Sequence, residues 1–296
     1  MTGFSIDWLR LREPFDHAAR KEASLAIAGQ FARWRQRSTG KELRVVDLAC
    51  GHGSNVRALA PRLGGAQHWR LIDHDPALLA AVPLALAEWA RQHGFGFTVA
   101  AAAIDPPIEI CGPDFHATVV RQQVDLARDL ATLEFGEAPL VTASALLDLV
   151  SASWLETLIG KAQSARSALL FALNVDGRST WEPVDPGDGR VKELFDQHQR
   201  RDKGFGMALG PQAVGIALQQ MAIAGYETLR MQTDWVIDGA HAAAMQLAMI
   251  EGMAAAALEQ DPTARDEVQS WQDRRGFGIA ASRLRVGHVD IVATPA

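Results

Sequence analysis

The sequence predicts an α/β fold: a mostly parallel, doubly wound sheet with helices on both faces, preceded by an N-terminal helical cap over residues 1–40. Three observations predict it. From Leu43 onward, short apolar runs bounded by turn residues alternate with Ala-rich amphipathic segments, the order that yields strands joined by crossover helices. After Arg44, the run to Cys50 reads as a strand covered on both faces. No repeat, linker or low-complexity tract divides the chain, so residues 41–296 read as one domain with an insertion near 175–209.

The elements follow in order. Residues 5–37 carry a helical apolar period, with Pro14 expected to break it and Asp16 to cap a second helix reaching Arg37. Ser38-Thr39-Gly40 closes that stretch before strand 43–50. Ser54 is the expected N-cap of a helix that Gly64-Gly65 ends. A strand over 68–73 leads to a helix with Asp75 as cap and Pro76 in its first turn, reaching His93. The Gly- and Pro-rich stretch 94–116 predicts one short strand near 97–101 and otherwise an irregular loop. Strands follow over 118–124, 140–144 and 168–173, with a helix over 153–164. The turn-rich segment 175–189 precedes a charged helix over 190–202. A helix from Gly210-Pro211 to Ala224, a strand over 226–236, an Ala-rich helix over 240–258 and a strand over 282–292 complete the reading.

Composition narrows the function. With 29 basic and 35 acidic side chains the net charge is −6, which disfavours broad binding to a nucleic-acid backbone. Mean hydropathy is −0.03, and no run of about 18 apolar residues offers a membrane span. The first residues lack the basic start and apolar core of a signal peptide, so a cytoplasmic protein is expected. Cys50 and Cys111 cannot build a disulfide framework or a four-ligand zinc site, and the histidines show no metal-ligand spacing, so no metal is expected.

The informative motif is Asp47-Leu48-Ala49-Cys50-Gly51-His52-Gly53, at a strand-to-helix turn. Gly51 and Gly53 let the backbone turn tightly beside a ligand, and the helix start behind them offers free N–H groups. Asp73 ends the next strand, where a carboxylate can accept both hydroxyls of a ribose; the alternative is a cap near Pro76. The third glycine of a dinucleotide fingerprint is missing, since Ser54, Asn55 and Val56 follow Gly53. Asp47, at the strand end, can help hold a cationic amine.

These residues resemble motifs I and II of the class I S-adenosylmethionine-dependent methyltransferases, closely over 41–174 and loosely over 210–296. The resemblance implies a seven-stranded sheet with an antiparallel C-terminal hairpin, formed near Tyr226 and Leu284–Val292. It implies S-adenosyl-L-methionine as cofactor, held by Asp47, Ala49, Gly51, Gly53, Asp73, His74, Asp125, Leu126 and Ser144. Asp125 stands where the family sets an acid against the adenine amine, or else is a solvated turn acid. The implied activity is methyl transfer to an oxygen or nitrogen of a small molecule. The rivals are an NAD(P)-dependent oxidoreductase and a non-catalytic cofactor-binding interaction protein.

Methyl transfer from a sulfonium requires positioning, and a general base only when the acceptor must lose a proton. Candidates therefore come from strand ends and insertions. Asp148 follows the fourth long strand and Asn174 the fifth, while His198, Arg201 and Lys203 lie in the insertion before a Gly-Phe-Gly. That cationic stretch reads either as a lid closing on a carboxylate or phosphate, with His198 as base, or as a solvated helix end. Arg12 is expected to meet substrate from above, and Arg20 to meet the cofactor carboxylate or solvent. The sequence leaves the oligomeric state open.

Overall fold

The structure, a computed structural model, describes residues 5–21, 29, 42–100, 105–136 and 139–295. Residues 1–4, 22–28 and 30–40 of the expected cap lie outside these.

Five strands form the parallel centre of the sheet. Strand β1 (Leu43–Leu48) pairs in parallel with β2 (Gly65–Asp73) on one side and with β6 (Leu140–Ser144) on the other. Outward from β2 lie β5 (Phe115–Gln123), β4 (Ile108–Cys111) and β3 (Gly96–Val99), the last two antiparallel. Outward from β6 lies β7 (Ala168–Glu182), then β10 (Arg283–Pro295), then β8 (Tyr226–Gln232), with β9 (Trp235–Asp238) continuing along β10. β10 runs antiparallel to all three of its neighbours, which is the expected C-terminal hairpin.

Among the described residues the sheet has ten strands rather than seven. Two of the additions are β4, which was read as loop, and β9. The expected strand over 226–236 breaks at Thr233-Asp234, where the Thr233 N–H donates to the His288 carbonyl at 2.9 Å, and β9 resumes on β10. β7 runs nine residues past its expected end. Asp176-Gly177 is not a turn: Gly177, at φ 81°, sits in an irregularity opposite Gly287, and both strands resume pairing beyond it.

Helices α2 (Ser54–Leu63) and α3 (Pro76–His93) cover one face, over a core containing Val45, Trp69 and Leu86. The short α4 (Leu126–Asp129), α5 (Ala152–Ser164) and α7 (Ala213–Ile223) cover the other, over Val46, Phe171 and Leu158. Asp75 caps α3 as expected, accepting from the Ala77 N–H at 2.8 Å. α2 is capped by the left-handed Gly53 rather than by Ser54.

A third core, around Trp181, Trp235 and Trp271, joins the overhanging ends of β7, β9 and β10 to α6 (Asp188–Gln199), α8 (Gly239–Gln260) and α9 (Arg265–Phe277). One stretch of α8, His241–Gln260, is long and apolar enough to cross a membrane by length and composition; Met245, Ile250 and Met253 bind it into this core. Helix α1 (Ile6–Ala19) packs Trp8, Leu11 and Phe15 on the same core. Pro14 does not break it and Asp16 lies inside it. A mid-helix proline costs about 3 kcal/mol, but Arg12 and Glu13 before it and Asp16 after it are all held by partners described below.

Candidate active site

The chain runs from β1 through β2 to β5 on one side, then returns to β6 on the other. The crevice of such a sheet opens at the carboxyl ends of its strands, at the reversal between β1 and β6. Three adjacent strands carry left-handed residues that are not glycine at this level: Ala49 after β1 (φ 50°), Ala145 after β6 (52°) and Leu173 within β7 (53°). Such backbone is sterically costly and gathers at functional sites.

The glycine turn follows Ala49. Gly51 (φ 56°) and Gly53 (φ 85°) are both left-handed, and Gly51 donates its N–H to Asp73 Oδ2 at 2.9 Å. Asp73 Oδ1 accepts from the Asp75 N–H at 3.0 Å and lies 3.2 Å from His74 Nδ1, so the carboxylate ties β2 to the turn. Asp73 is buried, while the His74 ring stands out in solvent. Asp125 caps α4, accepting from the Ala127 N–H at 3.0 Å and facing Arg128 at 3.4 Å. Leu126 is buried beside it, its carbonyl taking the Trp154 indole N–H at 2.7 Å. Ser144 ends β6, half-buried.

Asp47 has no solvent exposure. Burial pushes its carboxyl up to about 7, against hydrogen bonding from Asn55 and the charge of Arg20, and Asp73 adds to the rise. Asn55 Nδ2 donates to Asp47 Oδ1 at 2.9 Å and to Thr142 Oγ1 at 3.2 Å, while its Oδ1 accepts from Arg20 at 3.0 Å. Arg20 also donates to Asp290 Oδ2 at 3.2 Å, and Asp290 Oδ1 takes the Leu173 N–H at 2.7 Å and the Thr233 hydroxyl at 2.9 Å. One buried polar chain thus spans the ends of β1, β6, β7, β8 and β10. Arg20, read as meeting ligand or solvent, is 2% exposed and is a link in this chain.

Helix α1 lies across the crevice. Leu9 Cδ1 stands 3.2 Å from where a Cβ on Gly51 would be. Glu13 takes two hydrogen bonds from Arg57, at 2.6 and 2.8 Å, and lies 3.3 Å from His52. Burial alone would raise Glu13; the hydrogen bonds of His52 and Arg57 and the Arg57 charge reverse this and hold it far below the usual carboxylate range. Arg12 pairs with Asp16 at 3.0 Å and sits 5.2 Å over the Trp235 ring, whose indole N–H donates to Asp16 at 3.0 Å.

Beyond β6, Asp148 Oδ1 is buried with no hydrogen-bond partner among the described residues. Burial raises this carboxyl, and the charges of Arg12 and Lys203 oppose the rise. Other expected residues are engaged elsewhere. Asn174 spends its amide on the carbonyls of Phe171 and Val289, at 2.8 and 2.9 Å, stapling β7 to β10. His198 and Arg201 share Glu259 of α8, at 3.2 and 2.8 Å, because an acid one helix away is a nearer partner than the crevice. The Gly-Phe-Gly is pinned rather than loose: Asp202 Oδ1 accepts from the N–H groups of Gly204 and Gly206, and Phe205 packs edge-on against Trp154 at 5.4 Å.

Sequence reasoning missed Asn55, Thr142, Glu13, Arg57 and Asp290 as members of the site. Asp290 carried a readable signal, an acid inside the otherwise apolar run Val289–Ala293.

No protein-family model and no curated protein matches the chain. Among solved structures it is similar to a cyclopropane-fatty-acyl-phospholipid synthase-like protein from Lactobacillus casei ATCC 334, at 16% identity over 97% of this chain and 94% of that one, with a TM-score of 0.48. It is also similar to coclaurine N-methyltransferase bound to N-methylheliamine and SAH (13% identity, 93% and 71% covered, TM-score 0.40). A third is geranyl diphosphate methyltransferase in complex with GPP and sinefungin (11%, 87% and 74%, 0.39).

Proposed function

We propose that the chain is an S-adenosyl-L-methionine-dependent methyltransferase that methylates an oxygen or nitrogen of a small molecule. One observation carries this reading. At the strand-order reversal, a left-handed glycine turn lies between a fully buried acid, Asp47, one of whose oxygens has no hydrogen-bond partner among the described residues, and a second acid, Asp73, at the end of the adjacent strand. The turn accommodates a ligand backbone, a strand-end acid suits a cationic amine, and Asp73 suits vicinal hydroxyls. An amino-acid nucleoside carries all three groups. A dinucleotide would set a pyrophosphate against the turn, where Asp47 repels it and the third glycine is missing.

When bound, the cofactor supplies an electrophilic methyl group. The chain's residues hold and orient the two reactants and exclude water. In this reading Asp148, one of whose oxygens has no hydrogen-bond partner among the described residues, takes a proton from the acceptor, and the charges of Arg12 and Lys203 oppose the rise that burial gives its carboxyl. His198, Arg201 and Asn174 then serve the fold around the acceptor rather than the acceptor itself. Isothermal titration with S-adenosylhomocysteine and NAD side by side tests the reading: the first binds and the second does not. Binding of NAD alone overturns it.

A further inference from the structure

The buried residues of α1 are both charged, Arg12 and Asp16, while its apolar side chains Trp8, Leu9, Leu11 and Phe15 are only half-buried. A helix fixed into a core has the reverse pattern. Charges removed from water regain hydration when a contact opens, whereas buried apolar surface only loses by opening. A helix held mainly by its charges is therefore released at lower cost than one held by apolar burial.

The attachments of α1 differ along its length. At its C-terminal end Ala19 packs on two of the cores, and the buried Arg20 that follows is held between Asn55 and Asp290. Further forward, Glu13 receives the Arg57 guanidinium of α2. The same guanidinium donates to the His52 carbonyl at 2.9 Å and lies 3.1 Å from His52 Nε2. One cation thus joins α1 to the residue between the two glycines. Leu9, one helical turn before Glu13, covers the glycine turn itself. Its Cδ1 stands 3.2 Å from the position of a Cβ on Gly51. An atom in van der Waals contact with the Gly51 α-carbon on that side would lie beyond that position and overlap Leu9.

Resting on the methyltransferase reading, we propose that α1 is a lid for ligand exchange: it pivots at Arg20, is latched by Glu13 on Arg57 and His52, and lifts Leu9 from Gly51 whenever an S-adenosyl ligand enters or leaves. The latch acts on α1 and not on the ligand. Weakening it raises the open fraction of the free and the loaded protein alike, so both exchange rates rise together while their ratio, the affinity, holds.

The test is surface plasmon resonance of the immobilised full chain with S-adenosylhomocysteine. Glu13→Gln should speed association and dissociation by about tenfold or more each, with the dissociation constant within about threefold of the parent's. Glu13→Asp keeps the charge on a side chain one methylene shorter, and its two rates should fall between those of the parent and Glu13→Gln. It decides the matter if Glu13→Gln does not fold: both of its rates should then exceed the parent's by about threefold or more, and a smaller rise overturns the proposal. A helix that merely walls the crevice gives a different result, weaker binding through faster dissociation alone. That result, or rates equal to the parent's in Glu13→Gln, overturns the lid and leaves the functional reading standing. No binding of S-adenosylhomocysteine by the parent chain overturns both.

Discussion

Replacing Glu13 by Gln tests what fastens α1 across the crevice. The substitution keeps the shape and removes the charge that Arg57 and His52 face, in a cluster where Arg57 is 4% exposed and His52 3%. Removing one partner of a buried ion pair costs about 3–5 kcal/mol, because the remaining charge stays desolvated. At pH 7 the variant should be less stable than the parent by about 3 kcal/mol in urea unfolding followed by circular dichroism. The pH dependence is distinctive. Glu13 in the fold lies well below its ordinary value of 4.5, so its contribution is complete above that pH. As pH falls below 4.5 the unfolded chain takes up a proton that the folded chain refuses, and the contribution declines. The gap between parent and variant should narrow by about 1 kcal/mol on going from pH 4.5 to 3.5. A gap below about 1 kcal/mol at pH 7, or one of equal size at pH 3.5, would refute the assignment of Glu13 as the fastening charge.

Two further outcomes are expected. Asp73→Ala should lower S-adenosylhomocysteine affinity at least tenfold, since charge-assisted hydrogen bonds are worth about 1.5–3 kcal/mol each, with the far-ultraviolet spectrum unchanged; undiminished affinity would leave Asp73 as a tether of the turn only. His288 is buried against Trp235, and burial followed by the Arg12 charge pulls its pKa down to about 4. The unfolded chain protonates it near 6.5, so stability should fall as pH drops from 6.5 toward 4, by about 3 kcal/mol in all from this residue. His288→Phe should flatten that slope, and an unchanged slope would place the titration elsewhere.

The parallel centre of the sheet was legible because each strand there is a short apolar run bounded by turn residues, and the reversal point followed from Asp47, Gly51, Gly53 and Asp73. What was not legible depended on pairing at a distance. Asp176-Gly177 has the composition of a turn, yet β10 offers a full-length partner with Gly287 opposite, and the ladder resumes beyond the irregularity. Pro14 has the local signature of a helix end, but ion pairs on both sides of it outweigh that preference. On the acceptor side, His198 and Arg201 looked poised for an anion because Glu259, about sixty residues later in sequence, could not be seen to lie against them. Asn55 gave no local sign of its role, which exists only where Asp47, Thr142 and Arg20 converge.

The placement of β10 between β7 and β8 has a consequence for how the chain acquires its structure during synthesis. Of the ten described strands it is the last to be made, yet β8 and β9 have no other partner among the described residues. Until residues 283–295 emerge from the ribosome, β7 is an open edge more than a dozen residues long, and β8 and β9 have nothing to pair with. Asp290, which supports the Leu173 bend and receives Arg20, arrives on that same strand. The left part of the sheet can therefore mature early, whereas the crevice is assembled in one late, long-range step, the kind that is slow and exposes unpaired edges to neighbouring chains.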